Sequence, residues 1–506
     1  MTQLEYFKLS KFNRFLYKLG NFFKNLGLGF VKFWVKFGKA VAKGFLKFIG
    51  AFVLIGNTFI RGSWKTKVSY LIFGFGNLSR KQFLRGLFFL LFEVLFILYM
   101  VFYGSYWLGK MDNLGDRGAE QVKIDGFEIT IYHDDSFKIL LYGILTIFFI
   151  IAFIATWYIN VKQCKVLDEI VASGKKIKSD KDDLRSLVDN EFHKTLLALP
   201  VTGIMLFTVL PIIFMIVVAF TNYGGSLDGR NNLFTWVGLE NFNELFTVST
   251  GNSSLIATIG EILGWTLIWA FFATFTNYFI GMFVAMMINK KGIRGKKIWR
   301  GILVLTIAVP QFISLVYVSN LFADNGIVNK LLMDWGVIDK AIHFWTDNQN
   351  PIIARALVIL INIWIGIPYL VLITTGVLMN IPADLYESAE IDGANKVQQF
   401  SKITLPYMLF VTGPYLLTSF IGNINNFNVI YLLTGGSPDK IGVATSAGTV
   451  GHTDLLITWL FDLTMGATAN YSLAAVIGII IFLVVSIISL IVYNVMPSMR
   501  NEEDYS

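Results

Sequence analysis

Eight stretches of this sequence are each long and apolar enough to cross a lipid bilayer as a helix. They lie near residues 86–108, 138–160, 196–220, 263–288, 298–322, 352–379, 409–432 and 473–493. A spanning helix needs about 20 mostly apolar residues, because the hydrocarbon core is about 30 Å thick. Inside that core every backbone N–H and C=O must find a partner within the protein, so such runs fold as helices. Composition agrees: 55% of the 506 residues are hydrophobic and only 15% charged, against about 25% charged in a soluble domain. The expected fold is therefore an all-α, polytopic membrane protein of about eight transmembrane helices.

Charge sets the expected orientation. Cytoplasmic loops of membrane proteins carry an excess of Lys and Arg. The stretch before the fifth run holds Lys290, Lys291, Arg294, Lys296, Lys297 and Arg300 and no acid. The region before the first run is rich in Lys. The loop between the first two runs is acidic, with Asp112, Asp116, Glu120, Asp125, Glu128, Asp134 and Asp135. An even number of spans with both termini cytoplasmic satisfies all three. It also places 380–408 in the cytoplasm, by helix parity alone, since that segment is not basic. The net charge of +8 then reflects membrane-facing Lys, not a nucleic-acid groove.

The N-terminal region adds a second kind of helix. Lys32, Lys36, Lys39, Lys43 and Lys47 recur every three or four positions, so they share one helical face. Phe30, Phe33, Trp34, Phe37, Val41, Phe45 and Phe48 fill much of the remainder. A basic amphipathic helix of this kind lies in the membrane interface. The alternative is a ninth span near 44–60, but its uninterrupted apolar part, 48–60, is short and a span here spoils the charge bias. The sequence thus divides into a basic interfacial region (1–85), two spans with a mixed-charge cytoplasmic linker (86–195), a six-span core (196–495) and a cytoplasmic tail (496–506). Outside loops are expected at 221–262, with Gly224-Gly225, Asn231-Asn232 and Trp236, and at 433–470, with a Gly435-Gly436-Ser437-Pro438 turn. Cys164 is the single cysteine, which excludes an internal disulfide. No compact apolar core followed by a small-residue cleavage site opens the chain, so the first span is expected to direct insertion.

Much chemistry is missing. No Gly-x-x-x-x-Gly-Lys-Ser/Thr phosphate loop occurs, and Gly292-Ile-Arg-Gly295-Lys-Lys has the wrong spacing. No His-Glu-x-x-His or paired-Cys signature suggests a metal site, so a membrane enzyme is disfavoured. The spans are nearly free of charge. Glu93 is the exception, placed either to pair within the bundle or to reach the cytoplasmic interface. Ion-coupled carriers keep intramembrane carboxylates or His, because a buried charge is costly. Their scarcity points to a neutral, hydroxyl-rich solute and an external energy source.

One polar island interrupts the apolar pattern. Residues 387–406 read Glu-Ser-Ala-Glu-Ile-Asp-Gly-Ala-Asn-Lys-Val-Gln-Gln-Phe-Ser-Lys-Ile-Thr-Leu-Pro. Leu385 to Asp392 suits a short surface helix beginning after Pro382. Gly393 permits a tight reversal, since it tolerates positive φ. Ala394 to Lys402 opens a second helix leading into the next span. Composition alone fits an ordinary helix-turn-helix as well as a docking element for a partner.

The ordered pattern Glu387, Ala389, Gly393, nine residues, then Ile403-x-Leu405-Pro406 resembles the EAA loop, by which permease subunits of ABC importers dock on their ATPase. Three more stretches are similar to the larger maltose/maltodextrin (MalF-like) permeases: Ile302 to Ser314, Asn362-Ile-Trp-Ile-Gly-Ile-Pro-Tyr369, and Ser419 to Pro438. The resemblance covers 196–495 and not the first 85 residues. That family has eight spans with both ends inside, and its best-known members carry a large outer insertion after the third span that is short here. The resemblance implies that Glu387, Ala389, Gly393, Ile403, Leu405 and Pro406 couple to the ATPase.

Within the spans, Asn362, Gly366 and Tyr369 share one helical face, and Asn423 and Asn426 are i, i+3 neighbours with Gly422 alongside. Amides both donate and accept, which suits sugar hydroxyls. They serve equally well as glue between helices. The resemblance favours sugar, implying contacts at Gln311, Asn362, Ile365, Gly366, Tyr369, Gly422, Asn423 and Asn426. Trp364 and Tyr369 offer rings for a pyranose face, and glycine at 366 and 422 leaves room for a ligand. Ile307, Gln311 and Gly422 depart from the family's Tyr, Ser and Phe, which implies a wider site or weaker stacking.

The expected function is thus a multi-pass cell-membrane permease subunit for a neutral oligosaccharide, with no catalytic residue, metal or cofactor of its own. The implied partners are a second homologous permease, two copies of an ATPase that carry ATP and Mg, and an extracytoplasmic sugar-binding protein. An importer for another neutral solute, an ion-coupled carrier, and a membrane scaffold or receptor are the rival readings.

Overall fold

The computed structural model describes residues 10–495 except 119, 125–126, 132, 225–232, 248, 251–252, 291, 446–447 and 466–468. Lys291, Asp125, Asn231-Asn232, Gly225 and the tail 496–506 therefore lie outside the described residues. Among the described residues eight helices are long and apolar enough to cross a membrane, and a ninth candidate is a bent pair. The fold is all-α and polytopic. Among the described residues the strands are short hairpins outside the spans, such as β1 (Glu120–Ile124) with β2 (Phe127–Ile131).

Contacts divide the chain at Asn241 into two units, residues 35–241 and residues 242–506 with the first 34. The helix near 196–220, expected with the core, thus groups with the N-terminal spans. The unit 35–241 holds most of α1 (Lys11–Arg61), then α2 (Phe83–Gly109), α3 (Ser136–Ala172), α4 (Asp180–Val188) and α5 (Phe192–Val218). Between α1 and α2 the chain makes short helical turns instead of a span. Asn160 on α3 accepts from the Gly74 N–H and donates to the Ser69 carbonyl. Trp157 donates to the Tyr70 carbonyl at 3.1 Å. Irregular backbone among apolar helices persists only when its polar groups are satisfied in this way.

α1 differs from its expected form. It runs unbroken from Lys11 to Arg61, and its part from Phe37 to Arg61 is long and apolar enough to span. The apolar stretch 48–60 is too short by itself, but the helix continues through Lys47, so length does not exclude a span.

The unit 242–506 contains α6 (Leu255–Asn289), the bent pair α7 (Lys296–Ile307) and α8 (Gln311–Leu321), α9 (Ile352–Leu378), α10 (Ala383–Ile391), α11 (Lys396–Ile424), α12 (Phe427–Leu433), α13 (Leu456–Met465) and α14 (Tyr471–Val495). The expected straight span 298–322 is instead bent by 84°. Pro310 supplies no N–H and pushes Val309 out of the helical region, which breaks the run. The expected span 409–432 likewise ends at Ile424 and resumes as α12, capped by the Asn426 side chain. The expected outside loop 221–262 is shorter, because Glu240–Thr247 is helical and α6 begins at Leu255.

Two cores hold this unit. Trp265, Trp269, Val358, Ile361, Val429 and Ile430 pack together, and Tyr278, Met282, Leu370, Met408 and Leu416 form the second group. The first joins α6, α9 and α12, and the second joins α6, α9 and α11. Wide π-turns occur at 205–209 and 400–404, each ending two residues before a proline, Pro211 and Pro406. A wider turn relieves the clash of the proline ring with the carbonyl four residues back. Pro406 therefore sits inside a continuous helix and not at its start.

Candidate functional site

A cavity of about 600 Å³ opens between the breaks and kinks of the second unit, within the usual range for small-molecule sites. α9 contributes Asn362, Trp364, Ile365, Gly366, Pro368 and Tyr369. α11 contributes Tyr415, Ser419 and Asn423, and Asn426 caps α12. The α7–α8 elbow brings Thr306, Ile307, Val309, Pro310, Gln311 and Ser314. α6 adds Ala273 and Asn277 beside its π-turn Phe272–Thr276. Among the described residues no Asp, Glu, Lys, Arg or His lines the cavity. Its polar groups are amides, hydroxyls and backbone. Pro368 leaves the Trp364 carbonyl without its helical donor, although α9 stays continuous.

Seven of the eight residues expected to meet sugar line this one cavity: Gln311, Asn362, Ile365, Gly366, Tyr369, Asn423 and Asn426. Gly422 does not. A helix turns 100° per residue, so Gly422 points away from the face of Asn423, and a Cβ there would meet nothing within 4 Å. Gly366 acts differently from expectation. A Cβ at Gly366 would come 2.4 Å from Asn277 Nδ2, so the glycine makes room for a protein amide and not directly for a ligand.

The amides divide by their partners. Asn423 donates to Thr274 Oγ1 at 3.0 Å and accepts from Asn426 Nδ2 at 3.1 Å. Asn426 in turn accepts from the Val429 N–H. These bonds tie the pair to its own wall and leave one donor hydrogen and one acceptor lone pair on each. Asn362 has no side-chain hydrogen bond among the described residues. Asn277 donates to the Asn362 carbonyl at 3.3 Å, while its buried Oδ1 has no partner. Buried polar atoms are almost always paired, so Asn277 is an acceptor waiting for a donor. Sequence reading misses it because it is a single amide in an apolar helix, 85 residues from Asn362.

Both ends of the cavity are structured. Tyr369 and Tyr415 approach with ring centroids 6.5 Å apart. One turn further along α11, Thr412 is hydrogen-bonded to the fully buried Tyr278 at 2.7 Å. At the other end Trp269 donates to the Asn423 carbonyl. Laterally the cavity is open: Trp364 is 60% and Tyr369 52% exposed.

α9 and α11 are joined by the polar island. α10 ends at Ile391, and Gly393, two residues on, has φ +75°. The Gly393 N–H bonds to the Glu390 carbonyl and the Ala394 N–H to that of Ala389, the helix-ending pattern that favours glycine. Asn395 then caps α11 reciprocally with Gln398, and Tyr386 meets Thr404 at 2.9 Å. Lys396 pairs with Glu390. The elbow presents Glu387, Leu385, Ile391 and Val397 to solvent, the last two 87% and 74% exposed. Among the described residues the Glu387 carboxylate has no partner. Ala389, Ile403 and Leu405 are half-buried and Pro406 is exposed.

Comparison with known proteins gives a consistent result. Residues 277–501 match the family described as binding-protein-dependent transport system inner membrane component. The chain is 33% identical over 447 residues to the maltodextrin transport system permease protein MalC of Streptococcus pneumoniae, covering 87% of this chain and 97% of that one. It is 32% identical to the galactooligosaccharides transport system permease protein GanP of Bacillus subtilis, covering 85% and 97%. It is 35% identical to the maltose/maltodextrin permease protein MalF of Escherichia coli over 257 residues, 50% of this chain and 48% of MalF. With relatives matched nearly end to end and a multi-pass helical fold, this chain belongs to the family of binding-protein-dependent transport system inner membrane components.

Proposed function

We propose that the chain is the permease subunit of an ABC importer that carries a neutral oligosaccharide across the cell membrane. The observation that carries this reading is the lining of the cavity: amides, hydroxyls and aromatic rings, with no acidic or basic side chain. Hydroxyls of a neutral sugar both donate and accept, as do Asn and Gln, and pyranose faces pack on rings. The maltodextrin and galactooligosaccharide names of the relatives support an oligosaccharide of one or the other linkage. Asn277, Asn362, Gln311 and Tyr369 bind it, while Asn423 and Asn426 hold the wall and offer their remaining positions.

The open side of the cavity supports a second, homologous permease as the missing wall. Glu387 and the apolar residues of the α10–α11 elbow suit a cleft on a cytoplasmic ATPase, where a carboxylate meets Arg. Two such ATPases carry ATP and Mg, and an extracytoplasmic binding protein delivers the sugar. α10 is connected directly to α9 and α11, which supply most of the cavity wall. Movement of the elbow on ATP-driven closure of the ATPases therefore reshapes the cavity, first opening it outward and, after hydrolysis, inward.

The test is uptake by the assembled transporter across α-glucan and β-galactoside oligomers of increasing length, with charged uronate oligomers as control. Uptake of neutral oligomers, lost in Asn362→Ala with normal assembly, is the expected result. Preference for the charged oligomers, or uptake of maltose but no longer chain, overturns it.

A further inference from the structure

The end of α1 is held by a partly buried polar network. Asp168 on α3 accepts from the Ser63 N–H at 3.1 Å, from Ser63 Oγ at 2.8 Å and from Thr66 Oγ1 at 2.7 Å. It also pairs with Arg80, whose side chain is 5% exposed. A second tie joins Tyr70 to the Ile55 carbonyl at 2.7 Å. These bonds fix where α1 leaves the rest of its unit.

That point lies at one end of α3. With 37 residues, α3 is about 55 Å long, so its last turns project beyond a hydrocarbon core of about 30 Å. Asp180, the first residue of α4, accepts from the N–H groups of Phe83 and Leu84 at the start of α2. The starts of α2 and α4, the end of α3 and the end of α1 thus share one end of the unit. Arg61, Lys65, Lys67, Arg80, Lys81 and Arg85 are there, while the opposite end of α2 and α3 carries Asp112, Asp116, Asp134 and Asp135. The basic end is cytoplasmic by the positive-inside rule.

α1 starts from this end and has two courses. Upright, it carries its N-terminal part across to the outside. Between Lys11 and Arg61 the helix has ten Lys or Arg and no acid, so that course breaks the same charge rule. Lying flat, it keeps every cation on the cytoplasmic side. Lys39, Lys43 and Lys47 are exposed and fall within an arc of about 80° at 100° per residue. Phe37, Phe45, Phe48 and Phe52 are exposed as well. A Cβ added at Gly38, Gly44 or Gly50 would meet nothing within 4 Å.

We propose that α1 lies along the cytoplasmic leaflet, tethered by Asp168, with Lys39, Lys43 and Lys47 bound to anionic phospholipid headgroups and its Phe residues in the acyl boundary. Charge complementarity decides the partner: an unbroken cationic face with no acid suits an anionic lipid surface.

Two measurements on the full-length protein test this. Cys164 is fully buried, so single cysteines introduced by Lys43→Cys, Lys175→Cys and Asp112→Cys report sidedness to an impermeant maleimide. Lys43→Cys is expected to label from the same side as Lys175→Cys and opposite to Asp112→Cys. Labelling together with Asp112→Cys overturns the flat course. An environment-sensitive dye on Phe45→Cys then reads lipid contact in nanodiscs. Emission is expected to shift blue in phosphatidylglycerol relative to phosphatidylcholine. Most of that shift is expected to vanish in high salt and in the Lys39→Glu, Lys43→Glu, Lys47→Glu triple variant. Equal emission in both lipids, with sidedness as expected, overturns the anionic-lipid contact.

Discussion

Glu93 Oε2 accepts a hydrogen bond from the Phe73 backbone N–H at 2.8 Å, with Glu93 8% and Phe73 2% exposed. This acid, conspicuous in the sequence as a charge inside a span, is thus committed to closing an irregular stretch of backbone. Gln keeps an acceptor oxygen at the same reach and Leu does not. Glu93→Gln is expected to leave uptake per folded molecule unchanged. Glu93→Leu leaves the N–H unpaired and is expected to cost about 1–3 kcal/mol. Thermal unfolding in detergent and membrane abundance measure the second effect. Loss of uptake by well-folded Glu93→Gln would instead mark a proton-coupled carrier.

The cavity amides separate by the same accounting. Asn423→Ala removes bonds to Thr274 and Asn426 and is expected to destabilise the protein by about 1–2 kcal/mol. Asn277→Ala and Asn362→Ala are expected to be near neutral in stability but to weaken sugar-stimulated ATPase activity of the assembled complex about tenfold or more. Parallel melting and activity assays on the three variants distinguish the groups. Normal activity in both Asn277→Ala and Asn362→Ala would make all of these residues glue.

Gly366 gives a sharper version. The place of its missing Cβ is occupied by the Asn277 amide, so Gly366→Ala must displace that side chain. The expected outcome is impaired uptake with small loss of stability, and partial recovery when Asn277→Ala is added to make space. No recovery in the double variant counts against the steric account.

Lipid made most of the fold legible in the sequence. A bilayer demands long apolar runs, and they stand out by length alone. The break at Ala308–Pro310 did not, because Pro310 lies inside an otherwise apolar run and length counts straight through it. Asn362, Gly366 and Tyr369 share a short motif on α9, and Asn423 and Asn426 share another where α11 gives way to α12, so spacing groups each set. Asn277 is found only through tertiary structure, since its place depends on the side chain absent at Gly366. The fate of Glu93 is also tertiary, because its partner is a backbone N–H and not another charge.

The elbow predicts a coupling defect. Gly393 has φ +75°, and a Cβ there would meet nothing within 4 Å, so Gly393→Ala meets backbone strain and no clash. A left-handed non-glycine residue costs about 1–2 kcal/mol. Gly393→Ala is expected to leave assembly intact and to lower sugar-stimulated ATPase activity several-fold, and Gly393→Pro to abolish it. Wild-type coupling in Gly393→Pro would sink the docking role.

The last prediction concerns pH, outside the spanning helices. Asp454 is 2% exposed, and burial pushes its carboxyl up to about 7 despite bonds from the Gly451 N–H and Thr458 Oγ1. Asp462, on α13, is raised by burial to about 6. A raised carboxyl holds its proton in the folded protein where the unfolded chain has released it. The stability contributed by these two carboxyls is therefore fully present below about pH 4, falls as pH rises from about 4 to about 7, and levels off above. When protonated, Asp454 can donate to Thr458 Oγ1, whose own hydrogen then turns to the Leu455 carbonyl 3.1 Å away. Asn at 454 imitates that form, with an amide hydrogen toward Thr458 and an oxygen for Gly451. Asp454→Asn is accordingly expected to exceed wild type by only about 1–2 kcal/mol at pH 5 and by more, up to a few kcal/mol, at pH 8. Melting curves of the detergent-solubilised protein at the two pH values check this. A wild-type melting temperature that rises from pH 5 to pH 8, with Asp454→Asn following it, would show that the Asp454 carboxylate is stabilised in its charged form.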